Sequence, residues 1–129
     1  MPKVLISDTM DAIAEKILLD NNIEVDVKTD LTLDELIEKI PSYDGLIVRS
    51  ASKVTKEIIE KAINLKLIGR AGAGVDNIDL ASARENNIIV MNTPGGNTNA
   101  TAEHTLALLL SLSRKIPNAN ATTHKGEWA

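Results

Sequence analysis

Cysteine and phenylalanine are both absent from this chain, which also has only one tyrosine and one tryptophan. Without cysteine the protein can form neither disulfides nor thiolate metal sites. The scarcity of aromatic side chains predicts an aliphatic core, and it leaves no platform on which nucleic-acid bases could stack. The two histidines, His104 and His124, lie far apart with no evident third ligand, so no metal site is predicted.

Basic residues are too few for general nucleic-acid binding, because 14 lysines and arginines stand against 18 aspartates and glutamates, a net charge of −4. The longest apolar run, Leu106–Leu110, is far shorter than the ~20 residues that a membrane span needs. The N-terminus also lacks the layout of a signal peptide. We therefore expect a cytoplasmic protein that binds neither membranes nor nucleic acid.

Apolar runs of strand length alternate with helical patterns along most of the chain. The predicted strands are Lys3–Ser7, Ile23–Val27, Gly45–Val48, Leu65–Gly69 and Ile88–Met91. This alternation predicts an α/β fold, a flavodoxin-like doubly wound parallel sheet with helices on both faces. Ligands bind such sheets beyond the carboxyl ends of the strands.

Several residues predict where helices begin and end. Thr32 and Glu35 have the spacing of a capping box, and Thr55 can cap the helix after the third strand. The pairs Asn21–Asn22 and Asn86–Asn87 each precede a strand, and asparagine tolerates the left-handed conformation that closes a helix. The same helix-to-strand joint is therefore predicted twice.

A long helix is predicted from Thr98 to Lys115, with leucines on nearly every side. A helix that is apolar all round needs cover on more than one side, from further chain or from a second subunit. The tail Ile116–Ala129 is predicted to be polar and irregular. We divide the chain into a lobe, residues 1–97, and residues 98–129, which hold the long helix.

Three strand ends predicted to share one edge of the sheet carry polar or glycine-rich segments. These segments are Arg49–Ser50, Gly69–Asp76 with Arg70 inside it, and the loop Asn92–Asn97. Two guanidiniums beside a glycine turn are suited to a carboxylate or a phosphate. A single arginine at a strand end is more often solvated or ion-paired, but two of them flanking a glycine loop favour an anion site.

Other chemistry is disfavoured by the residues present. The turn Gly72–Gly74 is not a dinucleotide fingerprint, because Asn77 stands where the third glycine is needed and no acidic residue ends the next strand. His104 is interpreted as a packing residue of the long helix, so no catalytic residue is predicted. A phosphorelay receiver would need an acidic residue where Arg49 stands.

Four motifs in order resemble the D-isomer-specific 2-hydroxyacid dehydrogenases, and within them the D-3-phosphoglycerate dehydrogenase branch. They are Val48–Val54, Gly69–Asn77, Val90–Asn97 and Ala102–Thr105, and the resemblance extends through Trp128. It implies the substrate-binding portion of an enzyme that oxidises D-3-phosphoglycerate with NAD and opens the route to serine.

The resemblance also implies roles for particular residues. The implied substrate-binding residues are Arg49, Ser50, Arg70, Ala71, Gly72, Ala73, Gly74 and Asn97. The two arginines would bind substrate anions, the backbone of Ala71–Gly74 would hold the carboxylate, and Ala73 would also approach the nicotinamide end of NAD. Asn97 would lie at the cleft.

The family's dinucleotide fingerprint and its catalytic arginine, glutamate and histidine come after the position of Trp128. We therefore expect residues 98–129 to be a hinge helix and the incomplete start of an NAD-binding domain. We expect this chain alone to bind no NAD and to be inactive, and we expect a homodimer through residues 98–115. The alternative is a stand-alone anion-binding or dimerisation module.

Overall fold

A computed structural model describes residues 1–127, and the chain divides into two compact units, Met1–Gly96 and Asn97–Ala129. The first unit alternates strands with helices throughout. Its elements are β1 (Lys3–Ile6), α1 (Ile13–Asp20), β2 (Glu24–Val27), α2 (Leu33–Lys39), a 3₁₀ turn (Ile40–Ser42), β3 (Gly45–Val48), α3 (Lys56–Lys61), β4 (Leu67–Arg70), α4 (Leu80–Glu85) and β5 (Ile89–Asn92).

The five strands form one sheet in the order β2-β1-β3-β4-β5, and every neighbouring pair is parallel. The predicted doubly wound parallel sheet is therefore confirmed, and its order reverses beside β1. All five strands run the same way, so their carboxyl ends lie at one edge of the sheet. That edge is where a ligand is expected.

The core of the first unit is aliphatic, as predicted. Leu5, Leu46 and Ile68 are in register on β1, β3 and β4, and each is fully buried against the helices of one face. Tyr43 is the only aromatic side chain buried within the described residues. Removing each of the three aliphatic side chains from water stabilises the folded state by about 1.5–3 kcal/mol. This packing holds the strand ends in fixed positions.

One of the two predicted helix caps is confirmed and the other is wrong. Thr32 Oγ1 accepts the N–H of Glu35 at 3.3 Å, while Glu35 Oε2 accepts the N–H of Thr32 at 2.8 Å. Thr55 is the first residue before α3, but its side chain makes no capping hydrogen bond. The buried Ile58 also stands where α2 has Glu35, so a reciprocal capping box cannot form at α3.

The two asparagine joints are confirmed. Asn22 and Asn87 have φ angles of 58° and 56°, in the left-handed region, and each lies between a helix and the strand that follows. Main-chain hydrogen bonds run back from the residues after them, Ile23 to Leu18 and Ile88 to Ala83. Both joints thus end a helix by satisfying its last carbonyl groups.

The second unit contains two helices, α5 (Thr98–Ser113) and α6 (Ile116–His124). The predicted long helix is confirmed as far as Ser113, but the prediction of an irregular tail is wrong, since α6 occupies it. Pro117 lies in the first turn of α6, where proline is already set for a helix, and this signal outweighs the polar composition. Trp128, the end of the predicted resemblance, lies outside the described residues.

Five leucines of α5, Leu106, Leu108, Leu109, Leu110 and Leu112, are each more than half exposed. His104 is exposed on the same helix, and His124 ends α6 with its Nδ1 2.9 Å from the carbonyl of Asn120. None of the helices within residues 1–127 combines the length and the apolar character that crossing a membrane requires.

Candidate functional site

The register of the sheet places the segments carrying both arginines beside one another. Val48 pairs with Arg70, and Arg70 pairs with Asn92, at the carboxyl ends of β3, β4 and β5. Arg49 directly follows Val48, so the three polar strand ends lie on adjacent strands. The first unit therefore brings the predicted Arg49–Ser50 and Gly69–Asp76 segments to a common edge.

Arg49 is anchored at its main chain and at one end of its guanidinium. Its N–H donates to Asp8 Oδ2 at 2.6 Å, and its Nη1 donates to the carbonyl of Thr9 at 2.9 Å. Arg49 and Ser50 are exposed to solvent. Within residues 1–127 the remaining guanidinium donors of Arg49 and the hydroxyl of Ser50 make no hydrogen bond, so they can meet a ligand from solution.

Arg70 lies in a more enclosed position than Arg49. Its guanidinium packs directly over Gly72: a methyl group added at Gly72 would overlap Nη1 and lie 2.8 Å from Cζ. Its Nε is buried and has no hydrogen-bond partner within residues 1–127. A buried donor on a charged group is destabilising while it lacks an acceptor, so an anionic oxygen would be bound favourably there.

The glycine turn uses some of its backbone donors internally. The N–H of Ala71 donates to Val48 and the N–H of Gly72 donates to Arg70, both at 2.8 Å. The N–H groups of Ala73 and Gly74 make no hydrogen bond within the described part of the chain. Of the four backbone groups predicted to hold a carboxylate, these two have their donors available.

The far side of the turn is held by β5. Asn92 donates from Nδ2 to the carbonyl of Ala73 at 2.7 Å, and the N–H of Thr93 donates to the carbonyl of Gly72 at 3.0 Å. These bonds use the carbonyl groups of the turn and direct them towards β5. A glycine-rich turn fixed in this way presents its remaining N–H groups as an anion-binding concavity.

Asp8, which sequence reasoning missed, is central to the geometry of the site. It follows β1 by two residues, its side chain is 3% exposed, and its carboxylate accepts the N–H groups of Arg49, Ala51 and Ser52 as well as the Ser52 hydroxyl. The only available signal was its place after a buried strand, since every partner lies more than 40 residues away in the chain.

The protonation of Asp8 follows from these contacts. Burial raises the pKa of the carboxyl, but hydrogen bonds from Ser52, Arg49 and Ala51 outweigh burial and hold the pKa below its usual value. The Asp8 side chain is therefore a buried, ionised carboxylate at neutral pH, and it acts only as a hydrogen-bond acceptor. It has no cationic side-chain partner among its hydrogen bonds, so it is neutralised by backbone dipoles.

Asn77 was also missed as a contributor to the site. Its Nδ2 donates to the carbonyl groups of Arg49 and Ser52, both at 2.7 Å. From the sequence, this residue served to reject a dinucleotide fingerprint and as the last residue of a family motif, and no structural role was predicted for it. The structure shows that the side chain in the place of the third glycine joins the β4 turn to the loop after β3.

Asn97 opens the second unit, where it precedes α5 without a side-chain cap to that helix. Within the described residues, no group of three histidine, aspartate or glutamate side chains is arranged to hold a metal ion. The site of the first unit is thus built from two guanidiniums, a hydroxyl and backbone N–H groups, which suits anion binding.

Comparison with known proteins identifies the wider group. Residues 4–126 match the family described as D-isomer specific 2-hydroxyacid dehydrogenase, catalytic domain. The chain is 48% identical over 126 residues to D-3-phosphoglycerate dehydrogenase of Archaeoglobus fulgidus, a match that covers 98% of this chain and 24% of that relative. The chain thus spans about a quarter of the length of such a relative.

Two solved structures with a similar fold are dehydrogenases with NAD bound. An NAD+-bound 3-phosphoglycerate dehydrogenase of Entamoeba histolytica has a TM-score of 0.73 and 36% identity, covering 85% of this chain and 38% of its own. An NAD-dependent formate dehydrogenase of Staphylococcus aureus, in complex with NAD, has a TM-score of 0.82 and 33% identity, and the match covers 100% of this chain and 43% of that one. The chain therefore belongs to the D-isomer specific 2-hydroxyacid dehydrogenase family.

Proposed function

We propose that residues 1–96 form the substrate-binding lobe of an NAD-dependent D-3-phosphoglycerate dehydrogenase, an enzyme that leads from D-3-phosphoglycerate towards serine. The observation that carries the proposal is the buried, unpaired Nε of Arg70 beside Gly72, within residues 1–127. A charged donor in this position favours a ligand that brings an anionic oxygen. The 48% identity to a D-3-phosphoglycerate dehydrogenase supports phosphoglycerate as that ligand.

The available donors suggest how such a substrate would be held. Arg70 and Arg49 would bind its two anionic groups, with Arg70 in the more enclosed position and Arg49 nearer to solvent. The free N–H groups of Ala73 and Gly74 would receive the carboxylate, and the exposed hydroxyl of Ser50 would donate to the phosphate. Two anionic groups and two separated arginines give the lobe a preference for doubly charged substrates.

The described residues do not fit the pyrophosphate of NAD. Helix α4 begins only at Leu80, well after the turn, and the position of the third glycine is taken by Asn77, whose side chain donates to the carbonyl of Arg49. We propose that this chain alone holds no NAD and transfers no hydride. Ala73 is exposed, and it would meet the nicotinamide only of a cofactor bound by chain beyond these residues.

A titration of the ¹⁵N-labelled chain with D-3-phosphoglycerate tests the proposal. The amide signals of Arg70, Ala73 and Gly74 should shift in a saturable manner, and Arg49→Gln and Arg70→Gln should each weaken binding. Lys53→Gln is the matched control, because Lys53 is exposed just after Arg49–Ser52 and its substitution removes the same positive charge. A chain without shifts at these amides, or a Lys53 variant as weak as the arginine variants, would contradict the lobe assignment.

A second proposal concerns assembly, and the exposed leucines of α5 favour it. Leucines that stay more than half exposed, such as Leu109 at 60% and Leu112 at 79%, form an apolar surface that a second copy could cover. We propose a homodimer through residues 98–115. Sedimentation of the chain and of Leu109→Glu tests it, since a monomer at all concentrations in both would rule it out.

A further inference from the structure

The loop after β3, Arg49–Ser52, is held by the side chains of two residues that follow other strands. Asp8 accepts its N–H groups at Arg49 (2.6 Å), Ala51 (3.2 Å) and Ser52 (3.0 Å). Asn77 donates to its carbonyl groups at Arg49 and Ser52, both at 2.7 Å. The two side chains therefore use the donors and the acceptors of the same short segment.

The chemistry of each side chain matches its position and admits few replacements. Three N–H groups and one hydroxyl converge on Asp8, and only an ionised carboxylate accepts from all of them. Two carbonyl oxygens face one atom of Asn77, so that atom must be the amide nitrogen. A carboxylate at position 77 would instead place an acceptor against two acceptors.

Neither side chain belongs to a strand or a helix that needs it. Asp8 lies beyond the end of β1, and Asn77 lies between β4 and α4. Burying a carboxylate that has no cationic partner is unfavourable in itself, and here the hydrogen bonds of one loop offset that penalty. The arrangement thus fixes a loop rather than the core, and the loop it fixes carries Arg49 and Ser50.

We infer that Asp8 and Asn77 are positioning residues, which together fix the backbone of Arg49–Ser52 so that Arg49 and Ser50 face the substrate anion before it binds. This inference rests on the proposed function of the lobe. A loop that is already ordered loses little freedom on binding, which raises affinity without any contact between Asp8 and the ligand. Arg49 Nη1, bonded to Thr9 next to Asp8, ties the side chain to the same anchor.

The test compares Asp8→Asn and Asn77→Asp with wild type in the full 129-residue chain. Asp8→Asn keeps the shape but replaces one acceptor oxygen with a donor, and Asn77→Asp opposes two carbonyl groups. Asp20→Asn is the control, since Asp20 is exposed at the end of α1 and its substitution removes the same negative charge as Asp8→Asn. Urea unfolding confirms that each variant is folded, and Asn77→Ser replaces either variant that is not.

Two measurements separate the inference from the function on which it rests. Amide hydrogen exchange of Arg49–Ser52, without ligand, should quicken in both variants and stay unchanged in Asp20→Asn. The Kd for D-3-phosphoglycerate should rise about tenfold, the effect of one net hydrogen bond of about 1.4 kcal/mol. Faster loop exchange with an unchanged Kd would overturn the positioning role. Unchanged exchange would show that Asp8 and Asn77 do not fix the backbone of Arg49–Ser52.

Failure of the proposed function has a different signature. If the wild-type chain does not bind D-3-phosphoglycerate, the lobe assignment fails, and with it the inference that Arg49 is held ready for that substrate. Exchange data would then still show whether Asp8 and Asn77 order the loop. Weaker binding in both variants, with the control unchanged, is the result that supports the inference.

Discussion

Replacing Gly72 with alanine separates the stability of the lobe from its affinity for anions. The added methyl group would overlap Arg70 Nη1 and lie 2.8 Å from Cζ, so the guanidinium must move away. The backbone itself does not need glycine there, because only Gly95 and Gly126 among the glycines have positive φ angles. The substitution therefore acts on the position of one side chain.

The size of the two effects follows from this geometry. Alanine restricts the unfolded chain and stabilises the folded state by about 0.4–1 kcal/mol where its conformation is allowed, and moving a flexible guanidinium offsets part of that gain. Loss of a hydrogen bond between a charged donor and the ligand is worth about 1.5–3 kcal/mol. We thus expect a stability within about 1 kcal/mol of wild type, with D-3-phosphoglycerate binding about ten- to a hundredfold weaker.

Calorimetric titration and urea unfolding of the same preparation measure both quantities. Gly69→Ala is the matched control, because a methyl group at Gly69 would make only an ordinary contact, 3.7 Å from Ile47 Cγ1. It should leave affinity unchanged. If Gly72→Ala binds the ligand as tightly as wild type, Arg70 does not contact the anion from its position over the turn.

Two further predictions concern helix ends, and urea midpoints check both. Thr32→Val should destabilise the fold by about 1 kcal/mol, because it removes a side chain that caps α2. Thr55→Val should be neutral or stabilising, because the buried hydroxyl of Thr55 has no hydrogen-bond partner within residues 1–127. Equal losses of stability in the two variants would contradict this. Asn87→Val should destabilise by roughly 1–2 kcal/mol, since φ is 56° there, while Asn87→Gly should not, and a tolerated valine would refute the left-handed joint.

The sequence was sufficient for the sheet because strand formation there depends on local composition. Four of the strands are short, largely apolar runs, whereas β2 alternates charged residues with valines. The joints at Asn22 and Asn87 mark where helices end. Parallel order then follows from the alternation with helices. Helix α6 was missed because its asparagines and threonines suggest a loop, while Pro117 within its first turn favours a helix.

The candidate site was predictable only for the groups that are proposed to bind a ligand. Arg49 and Arg70 attract attention because charged residues directly after buried strands are conspicuous in a sequence. Asp8 and Asn77, which bond to the loop that carries Arg49, make these contacts across separations of 41 and 28 residues. No local pattern encodes such a pairing, because it exists only once β1, β3 and β4 lie side by side.

The position of Asn77 distinguishes the glycine-rich turn after β4 from a dinucleotide fingerprint. In a dinucleotide site the third glycine allows the helix to pack closely on the strand, and the first N–H groups of that helix are directed at the pyrophosphate. Here an amide side chain occupies that position and bonds to two carbonyl groups of the neighbouring loop, and α4 begins only at Leu80. The side chain at that position is therefore bonded to the loop after β3, and within residues 1–127 the turn keeps two backbone N–H groups, those of Ala73 and Gly74, without a hydrogen bond.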